Sequence, residues 1–361
     1  MALKYALIGN GRISPNHISA AINNNLDIVA LCDIEINKSR KLIQDFNLSE
    51  TVKIYDDYKK MLLFEEIDLI AIATESGNHA KIAIDCIAAG KHLIIEKPIA
   101  LSLKDADEII ELSRKNNVVV SACHQNRFNK SIQKIREAVE QKRFGKLFHA
   151  TAHIRWNREE DYYKQAPWRG TWEQDGGALM NQCIHNIDLL RWMMGNEIEE
   201  VFAYTDNLKH PYIETEDLGI ALIKFRNHSY GLIEGTTNVF PKNLEETLYL
   251  FGENGTIKAG GKSVNVIEEW FFKDQLDNPK EVKETYKELP PTVYGFGHTP
   301  LYQNVIFSIQ NNTEPYVTAE DGRRALELVL AIYLSSKENK PIRLPISNVS
   351  TMDFIKGSDF K

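Results

Sequence analysis

The sequence predicts two domains of different fold class: an α/β domain with a mostly parallel sheet, and an α+β domain built on a large, mostly antiparallel, open-faced sheet. In the first third of the chain, short apolar runs alternate with amphipathic helical patterns. Later, apolar and polar residues alternate one by one, which is the period of a half-buried antiparallel strand. A chain of 361 residues is long enough for two domains. We therefore expect domains at 1–125 and 126–361.

The first elements predict a dinucleotide site. A short strand from Lys4 to Ile8 runs into a glycine-rich loop, residues 9–14, and then into a helical pattern. A second strand ends at Asp33. Such a loop lets a pyrophosphate approach the backbone at a helix N-terminus, and the acid accepts hydrogen bonds from a ribose. We therefore expect a Rossmann domain that binds NAD, with Asp33 disfavouring the 2′-phosphate of NADP.

Three more strands are expected at 69–73, 93–95 and 118–122, with helices between them at 79–89 and 102–116. Ligands of parallel sheets bind at the carboxyl ends of the strands, so polar residues at those ends are cofactor candidates. The expected cofactor contacts are Gly9, Asn10, Gly11, Arg12, Ile13, Asp33, Ile34, Thr74, Asn78, His79, Glu96, Lys97 and Gln125. For Asn78 and His79, helix capping is an equal alternative.

The second half predicts a sheet with helices on one face. Helical patterns cover 130–142, 178–194 and 319–336, and residues 272–291 form a charged, exposed excursion. The expected strands are 148–157, 201–208, 219–225, 231–238, 247–251 and 264–270. Because helices on one side leave the other face of such a sheet uncovered, we expect that face to be an oligomer interface.

Two residues have the chemistry for oxidising an alcohol. Lys97 follows an apolar strand between Glu96 and Pro98, whereas Asn181 and His185 are four apart and share one face of a helix. Alcohol oxidation needs a proton acceptor and a cation that stabilises negative charge on oxygen. We therefore assign catalysis to Lys97 and His185, and leave open which of them accepts the proton. A solvated lysine and a structural histidine are the alternatives.

Composition narrows the class of protein. The net charge of −7 argues against nucleic acid or an anionic membrane as partner. No apolar run approaches the ~20 residues of a membrane span. The four cysteines have no C-x-x-C spacing, so we expect reduced core thiols in a cytoplasmic protein and no metal site.

The motifs resemble those of a known family. The glycine loop, Glu96-Lys97-Pro98 and Gly176-Gly177-x-x-x-Asn181-x-x-x-His185 resemble the Gfo/Idh/MocA family of sugar and cyclitol oxidoreductases. A narrower resemblance is to the WlbA-type UDP-N-acetyl-D-glucosaminuronate 3-dehydrogenases of bacterial surface-polysaccharide pathways. The strings that carry it are Gln125-Asn126-Arg127-Phe128-Asn129, Trp168-Arg169-Gly170, Met180-Asn181-Gln182, Pro241-Lys242-Asn243-Leu244-Glu245 and Val293-Tyr294-Gly295-Phe296-Gly297-His298.

The resemblance implies bound NAD and oxidation of the C3 hydroxyl of a UDP-linked N-acetylated sugar, UDP-GlcNAcA, to the 3-keto sugar. It also implies a homotetramer, and 2-oxoglutarate as the acceptor that re-oxidises NADH in the same site. The alternatives are a UDP-GlcNAc 3-dehydrogenase, a cyclitol or hexose dehydrogenase of the same family, and a non-catalytic NAD-binding sensor.

The resemblance also suggests the residues that contact the substrate. These are Gln125, Arg127, Trp168, Arg169, Asn181 and Tyr294. Arg127 is the first choice for a carboxylate of the sugar or of the acceptor acid, and Arg169 for the pyrophosphate. Further anion candidates are Arg155 and Arg158, and stacking candidates are Trp168 and Trp172, with a place in the core as the alternative for both tryptophans.

Two positions depart from the family pattern. Many relatives carry aspartate where this chain has Asn181, and an amide cannot accept a proton as a base does. Glu75 stands where relatives often have proline, which puts the shape of that loop in question.

Overall fold

The computed structural model describes residues 2–195 and 197–355. They form two compact units, each built from two stretches of chain. The first unit contains the residues up to 124 together with 298–323, and the second contains 125–297 together with the residues from 324 onward.

The first unit holds a six-stranded, all-parallel sheet with the strand order β3-β2-β1-β4-β5-β6. The strands are β1 (Lys4–Ile8), β2 (Asp27–Cys32), β3 (Lys53–Tyr55), β4 (Leu69–Ile72), β5 (His92–Ile95) and β6 (Val120–Ala122). The helices are α1 (Ser14–Asn23), α2 (Ile36–Asp45), α3 (Tyr58–Phe64), α4 (His79–Ala88) and α5 (Leu103–Lys115). Five of these strands were predicted. The short strand β3 was missed because its three residues are only partly buried and have no clear period.

The second unit holds an eight-stranded sheet with the order β13-β12-β11-β7-β10-β9-β8-β14. The strands are β7 (Leu147–Arg155), β8 (Ile198–Asp206), β9 (Leu218–Phe225), β10 (Tyr230–Thr236), β11 (Glu245–Gly252), β12 (Gly255–Gly260), β13 (Val266–Phe272) and β14 (Ile342–Arg343). Neighbouring strands are antiparallel except β7 and β10, which are parallel. The predicted fold class is therefore confirmed for both domains.

The remaining helices lie largely in the second unit. They are α6 (Lys130–Glu140), α7 (Glu160–Tyr163), α8 (Ile184–Met194), α9 (Pro279–Thr285), α10 (His298–Asn311) and α11 (Ala319–Glu338). Helix α9 lies within the segment expected to be an exposed excursion, and its Val282 is buried. No helix in the described ranges combines the length and the apolar character that crossing a bilayer requires.

Helix α10 belongs to the first unit, although the sequence analysis placed everything after residue 125 in the second domain. Tyr302 shows the physical reason. Its side chain is fully buried, and its hydroxyl lies 2.9 Å from the hydroxyl of Tyr5 on β1. A contact between residues 297 positions apart cannot be predicted from a local sequence pattern.

The sheet of the second unit has one covered and one open face. On β7, Ala150, Ala152 and Ile154 are fully buried, and α8 packs against this strand. Large apolar side chains elsewhere in the sheet are exposed, namely Tyr204, Ile220, Leu222 and Tyr230. The alternating pattern of β7 thus correctly predicted that one face of this strand is buried. The oligomer interface on the open face of the sheet stays a prediction.

Candidate active site

The glycine loop after β1 lies close to the backbone that follows β4. Gly9 has φ +91°, and a Cβ there would lie 2.5 Å from the backbone of Ala73, so only glycine fits. A Cβ on Gly11 would meet nothing within 4 Å, which leaves room for a ligand above the loop. The third position of the motif is Ser14, fully buried, whose hydroxyl donates to the Gly11 carbonyl at 2.6 Å. The loop therefore has the form of a pyrophosphate cradle at the start of α1.

Asp33 is held in place at the end of β2. Its carboxylate accepts the backbone N–H of Asn10 at 2.7 Å and that of Glu35 at 2.8 Å. The Asn10 amide donates to Ser39, and the next side chain after Asp33, Ile34, is 86% exposed. An oriented carboxylate beside an exposed apolar side chain suits the ribose and adenine of a dinucleotide. Two further cofactor candidates of this region, Arg12 and Ile13, are exposed and half-buried respectively.

The loop after β4 contains Glu75, which stands where relatives often have proline. Glu75 has φ −63°, a value that a proline at this position would also adopt. The Glu75 carboxylate accepts from the Asn78 amide. Half-buried Thr74 remains a cofactor candidate.

His79 is buried between two loops of the first unit. Its ring is 1% exposed, and its two nitrogens face the carbonyls of Pro98 at 2.7 Å and Thr74 at 3.1 Å. A neutral ring can donate to only one of these two carbonyls. His79 thus lies between the loop after β4 and the loop after β5, and its contact with NAD stays a prediction.

Lys97 follows β5 and is half-buried. The Lys97–Pro98 peptide bond is cis. The preceding Glu96 is buried and faces two histidines, with its Oε1 atom 3.1 Å from His17 Nε2 and 3.5 Å from His298 Nε2. Its Oε2 atom accepts the Lys97 backbone N–H at 3.2 Å. Both Glu96 oxygens thus face protein groups, and the expected contact of Glu96 with the cofactor stays a prediction.

In the second unit, the helix that carries His185 begins irregularly. Residues Leu179–Cys183 form a π-helical turn before α8, where the sequence predicted one continuous α-helix. π-helical turns inside helices are frequent at functional sites. Just before this turn, Gly176 has φ +76°, and a Cβ there would lie 2.6 Å from Met180. The Gly-Gly pair therefore permits the tight entry into the helix.

Exposure singles out the two predicted residues of this helix. From Asp175 to Met194, every side chain is buried except Asn181 and His185, which are half-exposed. The amide of Gln125, itself buried, lies 3.4 Å from Nε2 of His185. The Asn181 amide donates to Asp175. The structure therefore brings Gln125 and His185 together and presents His185 at the surface of the unit.

Arg127 is not available for substrate. It is 1% exposed, donates from Nε and Nη2 to the two oxygens of Asp188 at 2.7 Å each, and stacks on Trp192. Arg155 is likewise paired, with Glu234 and Glu245. Arg127 was the first choice for a substrate carboxylate, but in the structure its guanidinium already binds the buried carboxylate of Asp188.

Two further arginines, Arg158 and Arg169, pack against the aromatic ring of Tyr162. The guanidinium carbons of Arg158 and Arg169 lie 5.0 and 4.3 Å from the ring centre of Tyr162, and Arg169 also stacks on Trp168 at 4.5 Å. The Tyr162 hydroxyl accepts from Arg169 at 2.5 Å and from Gln182 at 2.9 Å. We call these five residues the tyrosine–arginine cluster.

The cluster carries positive charge without a carboxylate partner. Among residues 2–195 and 197–355, neither Arg158 nor Arg169 forms an ion pair, and the Nε atom of each is buried without a hydrogen-bond partner. Burial raises the pKa of Tyr162, an effect that the charges of Arg169 and Arg158 oppose and that of Asp175 reinforces. Tyr294, the remaining substrate candidate, is half-buried. Other arginines of the second unit do form ion pairs, among them Arg127, Arg143, Arg155 and Arg191.

Three residues of this site, Tyr162, Gln182 and Glu216, were not expected from the sequence. No role was expected for Tyr162 or Gln182, although Gln182 follows Asn181 directly. Glu216, which supports the start of the π-helical turn, lies in no motif. Trp172, a stacking candidate, is buried against Tyr333 and Phe354 and belongs to the core.

Comparison with known proteins agrees with this arrangement. Residues 3–124 match the model of the Gfo/Idh/MocA oxidoreductase family NAD-binding Rossmann fold, and residues 136–344 match that of the family's C-terminal alpha/beta domain. Among curated proteins, the myo-inositol 2-dehydrogenase of Thermotoga maritima is 25% identical over 95% of this chain and 98% of its own length.

Solved structures give a closer likeness. The WlbA dehydrogenase of Bordetella pertussis, in complex with NADH and UDP-GlcNAcA, is 35% identical, with a TM-score of 0.88 over 96% of this chain and 99% of its own. The WlbA dehydrogenase of Chromobacterium violaceum, also in complex with NADH and UDP-GlcNAcA, is 32% identical, with a TM-score of 0.87 over 96% of this chain and 97% of its own.

Proposed function

The chain belongs to the Gfo/Idh/MocA oxidoreductase family and is an NAD-dependent oxidoreductase, and from this premise we propose that it oxidises the C3 hydroxyl of UDP-GlcNAcA to the 3-keto sugar. The likeness to two WlbA dehydrogenases in complex with NADH and UDP-GlcNAcA supports the substrate class. The myo-inositol 2-dehydrogenase relative, at 25% identity, names the main competing substrate class, a neutral cyclitol.

The tyrosine–arginine cluster is the observation that carries the proposal. Arg158 and Arg169 are two cations without carboxylate partners in the described chain, and Tyr162 of the cluster bonds Gln182, the neighbour of Asn181. A neutral cyclitol would leave this charge uncompensated. A nucleotide sugar brings a pyrophosphate, and a uronate adds a carboxylate, both of which guanidinium groups bind well. The cluster therefore favours an anionic substrate.

The roles follow from the chemistry of each group. We assign proton acceptance from the C3 hydroxyl to His185, and stabilisation of the developing negative charge on that oxygen to Lys97. NAD, when bound, accepts the hydride. The Gln125 amide, 3.4 Å from Nε2 of His185, orients the imidazole. Asn181 binds the sugar as a hydrogen-bonding amide, with Tyr294 and Trp168 as further contacts.

A substrate panel tests the proposal. Purified protein is mixed with NAD and, separately, with UDP-GlcNAcA, UDP-GlcNAc and myo-inositol, and formation of NADH is followed by absorbance. We expect turnover of UDP-GlcNAcA, weaker turnover of UDP-GlcNAc, and none of myo-inositol. Oxidation of myo-inositol without binding of either UDP-sugar would contradict the proposal, and preference for UDP-GlcNAc would move the assignment to the neutral sugar.

Charge-neutral variants test the cluster. Arg158→Gln and Arg169→Gln each remove a charge-assisted hydrogen bond, so KM for UDP-GlcNAcA should rise by roughly 10- to 100-fold while KM for NAD changes little. Arg226→Gln is the matched control, because Arg226 is an exposed arginine paired with Glu197. Equal effects in all three variants would remove the cluster from the site.

The acceptor that re-oxidises NADH is a separate part of the proposal. We assign this role to 2-oxoglutarate, whose two carboxylates suit the same cations. Protein reduced with UDP-GlcNAcA should lose its NADH absorbance when 2-oxoglutarate is added. Retention of the absorbance would mean that another acceptor is used.

The open face of the sheet supports a homo-oligomer. The family resemblance implies that this oligomer is a homotetramer. A second copy of this chain would bury the exposed side chains of β8, β9 and β10. Leu222, 56% exposed, is the probe. Leu222→Lys should lower the mass measured by analytical ultracentrifugation, and an unchanged mass would exclude this face from the interface.

A further inference from the structure

His210 lies in the loop after β8 and is fully buried. Its Nδ1 atom lies 2.9 Å from the carboxylate of Asp217, and its Nε2 atom lies 2.8 Å from the backbone carbonyl of Arg158. Arg158 is one of the two cations of the tyrosine–arginine cluster. The imidazole ring therefore connects a buried carboxylate to the backbone of an arginine that we assign to the substrate.

The carboxylate of Asp217 is fully buried and accepts several hydrogen bonds. Its Oδ1 atom accepts the backbone N–H of Leu208 at 3.0 Å and the side-chain amide of Asn238 at 2.7 Å. Its Oδ2 atom accepts the backbone N–H of Lys209 at 2.8 Å and that of His210 at 3.1 Å. Burial by itself raises the pKa of Asp217, but the hydrogen bonds that it accepts, first among them the one from the His210 ring, outweigh burial and lower the pKa. Asp217 is therefore ionised, and an ionised carboxylate only accepts hydrogen bonds.

The two contacts of the His210 ring require two protons. Neither an ionised carboxylate nor a backbone carbonyl can donate a hydrogen bond. A neutral imidazole has one N–H, so its second nitrogen would turn a lone pair towards an oxygen atom at 2.8 or 2.9 Å. The doubly protonated ring donates to both oxygens, and its positive charge is balanced by the negative charge of Asp217.

The other titratable groups around the imidazole ring include two phenols and one ion pair. The rings of Tyr163 and Tyr212 pack against the imidazole, with ring centres 5.2 and 5.6 Å away. Burial raises the pKa of both phenols, so both are neutral at pH 7. Lys209 pairs with Glu159 at 2.9 Å. The negative charge in direct contact with the ring is thus that of Asp217.

Arg158 is fixed at its backbone and at its side chain. Its N–H donates to the carbonyl of Thr237 at 2.9 Å, and its own carbonyl accepts from the imidazole. Its guanidinium carbon lies 4.7 Å from the ring centre of Trp156 and 5.0 Å from that of Tyr162. Its Nη1 atom donates to the side-chain oxygen of Asn243 at 3.1 Å. The position of the guanidinium in the cluster therefore depends on where this backbone is held.

On the basis of the proposed function, we propose that His210 is a positioning residue: a doubly protonated ring, balanced by Asp217, that fixes the backbone from which Arg158 presents its charge to the substrate. The ring does not itself touch the substrate, because both of its nitrogens are engaged by protein oxygens. Loss of the second proton would turn the contact with the Arg158 carbonyl into a repulsion and release the arginine. His210 therefore acts on binding of the anionic sugar through Arg158.

NMR spectroscopy tests the protonation of the ring without any substrate. Full-length protein is prepared with histidine that carries the NMR-active nitrogen isotope, and the His210 signals are assigned by their loss in His210→Gln. At pH 7 both ring nitrogens of His210 should give the signal of a protonated nitrogen. The exposed His228 is the internal reference, since an exposed histidine is mostly neutral at this pH. One protonated and one bare nitrogen in His210 would overturn the proposal.

A double-mutant cycle tests whether His210 acts through Arg158. UDP-GlcNAcA is titrated by calorimetry into protein loaded with NADH, so that binding is measured without turnover. His210→Gln should raise the Kd by roughly 10-fold, whereas in an Arg158→Gln background the same substitution should change the Kd by less than about 2-fold. A merely structural role of His210 would raise the Kd by the same factor in both backgrounds, and this result would contradict the proposal.

Two further variants complete the test. His228→Gln is the matched control and should bind UDP-GlcNAcA like the wild type. Asp217→Asn guards against misfolding of His210→Gln, because it leaves the ring in place but removes the charge that balances its second proton, so the Kd should again rise. An unchanged Kd in either folded variant, His210→Gln or Asp217→Asn, would also overturn the proposal. A wild type that binds no UDP-GlcNAcA would refute the proposed function, and the NMR signals of His210 would still decide its protonation.

Discussion

The carboxylate of Glu216 occupies the space where a Cβ on Gly177 would stand, with its Oε2 atom 1.4 Å from that position. Its Oε1 atom accepts the backbone N–H of Leu179 at 2.8 Å and the Tyr333 hydroxyl at 2.9 Å. One residue thus caps the π-helical turn and makes the second glycine of the Gly-Gly pair obligatory. The geometry of the helix that carries His185 depends on this fit.

Gly177→Ala should disturb both stability and activity. The new methyl group must displace a fully buried carboxylate, which we expect to cost about 1–3 kcal/mol of unfolding free energy and to lower kcat through displacement of His185. Urea unfolding and steady-state kinetics measure the two effects. Gly11→Ala is the control for stability, since a Cβ there has open space. Equal stability of Gly177→Ala and wild type would contradict the described packing.

Glu216→Gln should change how stability depends on pH. Burial raises the pKa of Glu216 to about 8 from an ordinary value of 4.5, against the lowering effect of its hydrogen bonds. The folded state therefore binds a proton that the unfolded state has lost between these limits, and stability falls as pH rises through this window. The glutamine variant lacks this loss of up to ~1.4 kcal/mol per pH unit. The unfolding free energies of the wild type and of Glu216→Gln, measured at both ends of the window, should diverge towards high pH. Parallel curves for the two proteins would exclude a protonated Glu216.

Loss of either catalytic group should abolish most turnover. Lys97→Ala and His185→Ala should each lower kcat by at least ~100-fold, in line with the usual contribution of acid–base groups. Binding of NADH, followed by fluorescence titration, should be retained. Lys115→Ala, on an exposed lysine, serves as the control. Near-wild-type rates in both variants would move the chemistry to other residues.

Asp33→Asn should narrow the preference for NAD over NADP. The substitution removes the charge that repels a 2′-phosphate but keeps an oxygen that can accept from the backbone of Asn10. The ratio of kcat/KM for the two cofactors reports the change. Glu35→Gln is the matched control, because this neighbouring carboxylate is exposed and pairs with Lys38. A ratio that moves equally in both variants would assign the preference to general surface charge.

The sequence predicted best what is local. The glycine loop, Asp33 and the spacing of Asn181 and His185 each lie within one or two consecutive elements, so their context is readable from neighbouring residues. Between Asp175 and Met194, only Asn181 and His185 are not buried, as expected for two side chains on one exposed face of a helix.

What the sequence missed depends on distant partners. Arg127 pairs with Asp188, 61 positions away, and no local pattern separates such an arginine from Arg169, which has no such partner. The π-helical turn is set by Glu216, which follows it by more than thirty residues. The cap on that turn, like the pairing of Arg127, arises from tertiary packing rather than from propensity.

The division of the first unit into residues up to 124 and 298–323 has a consequence for synthesis of the chain. The ribosome completes all six strands of the parallel sheet long before it makes Tyr302, the buried partner of Tyr5. Domains generally fold in the order in which they emerge, from the N-terminus onward. Here the first domain to emerge acquires its last helix only after nearly all of the second sheet has been translated, so its folding on the ribosome ends as an insertion into a nearly finished molecule.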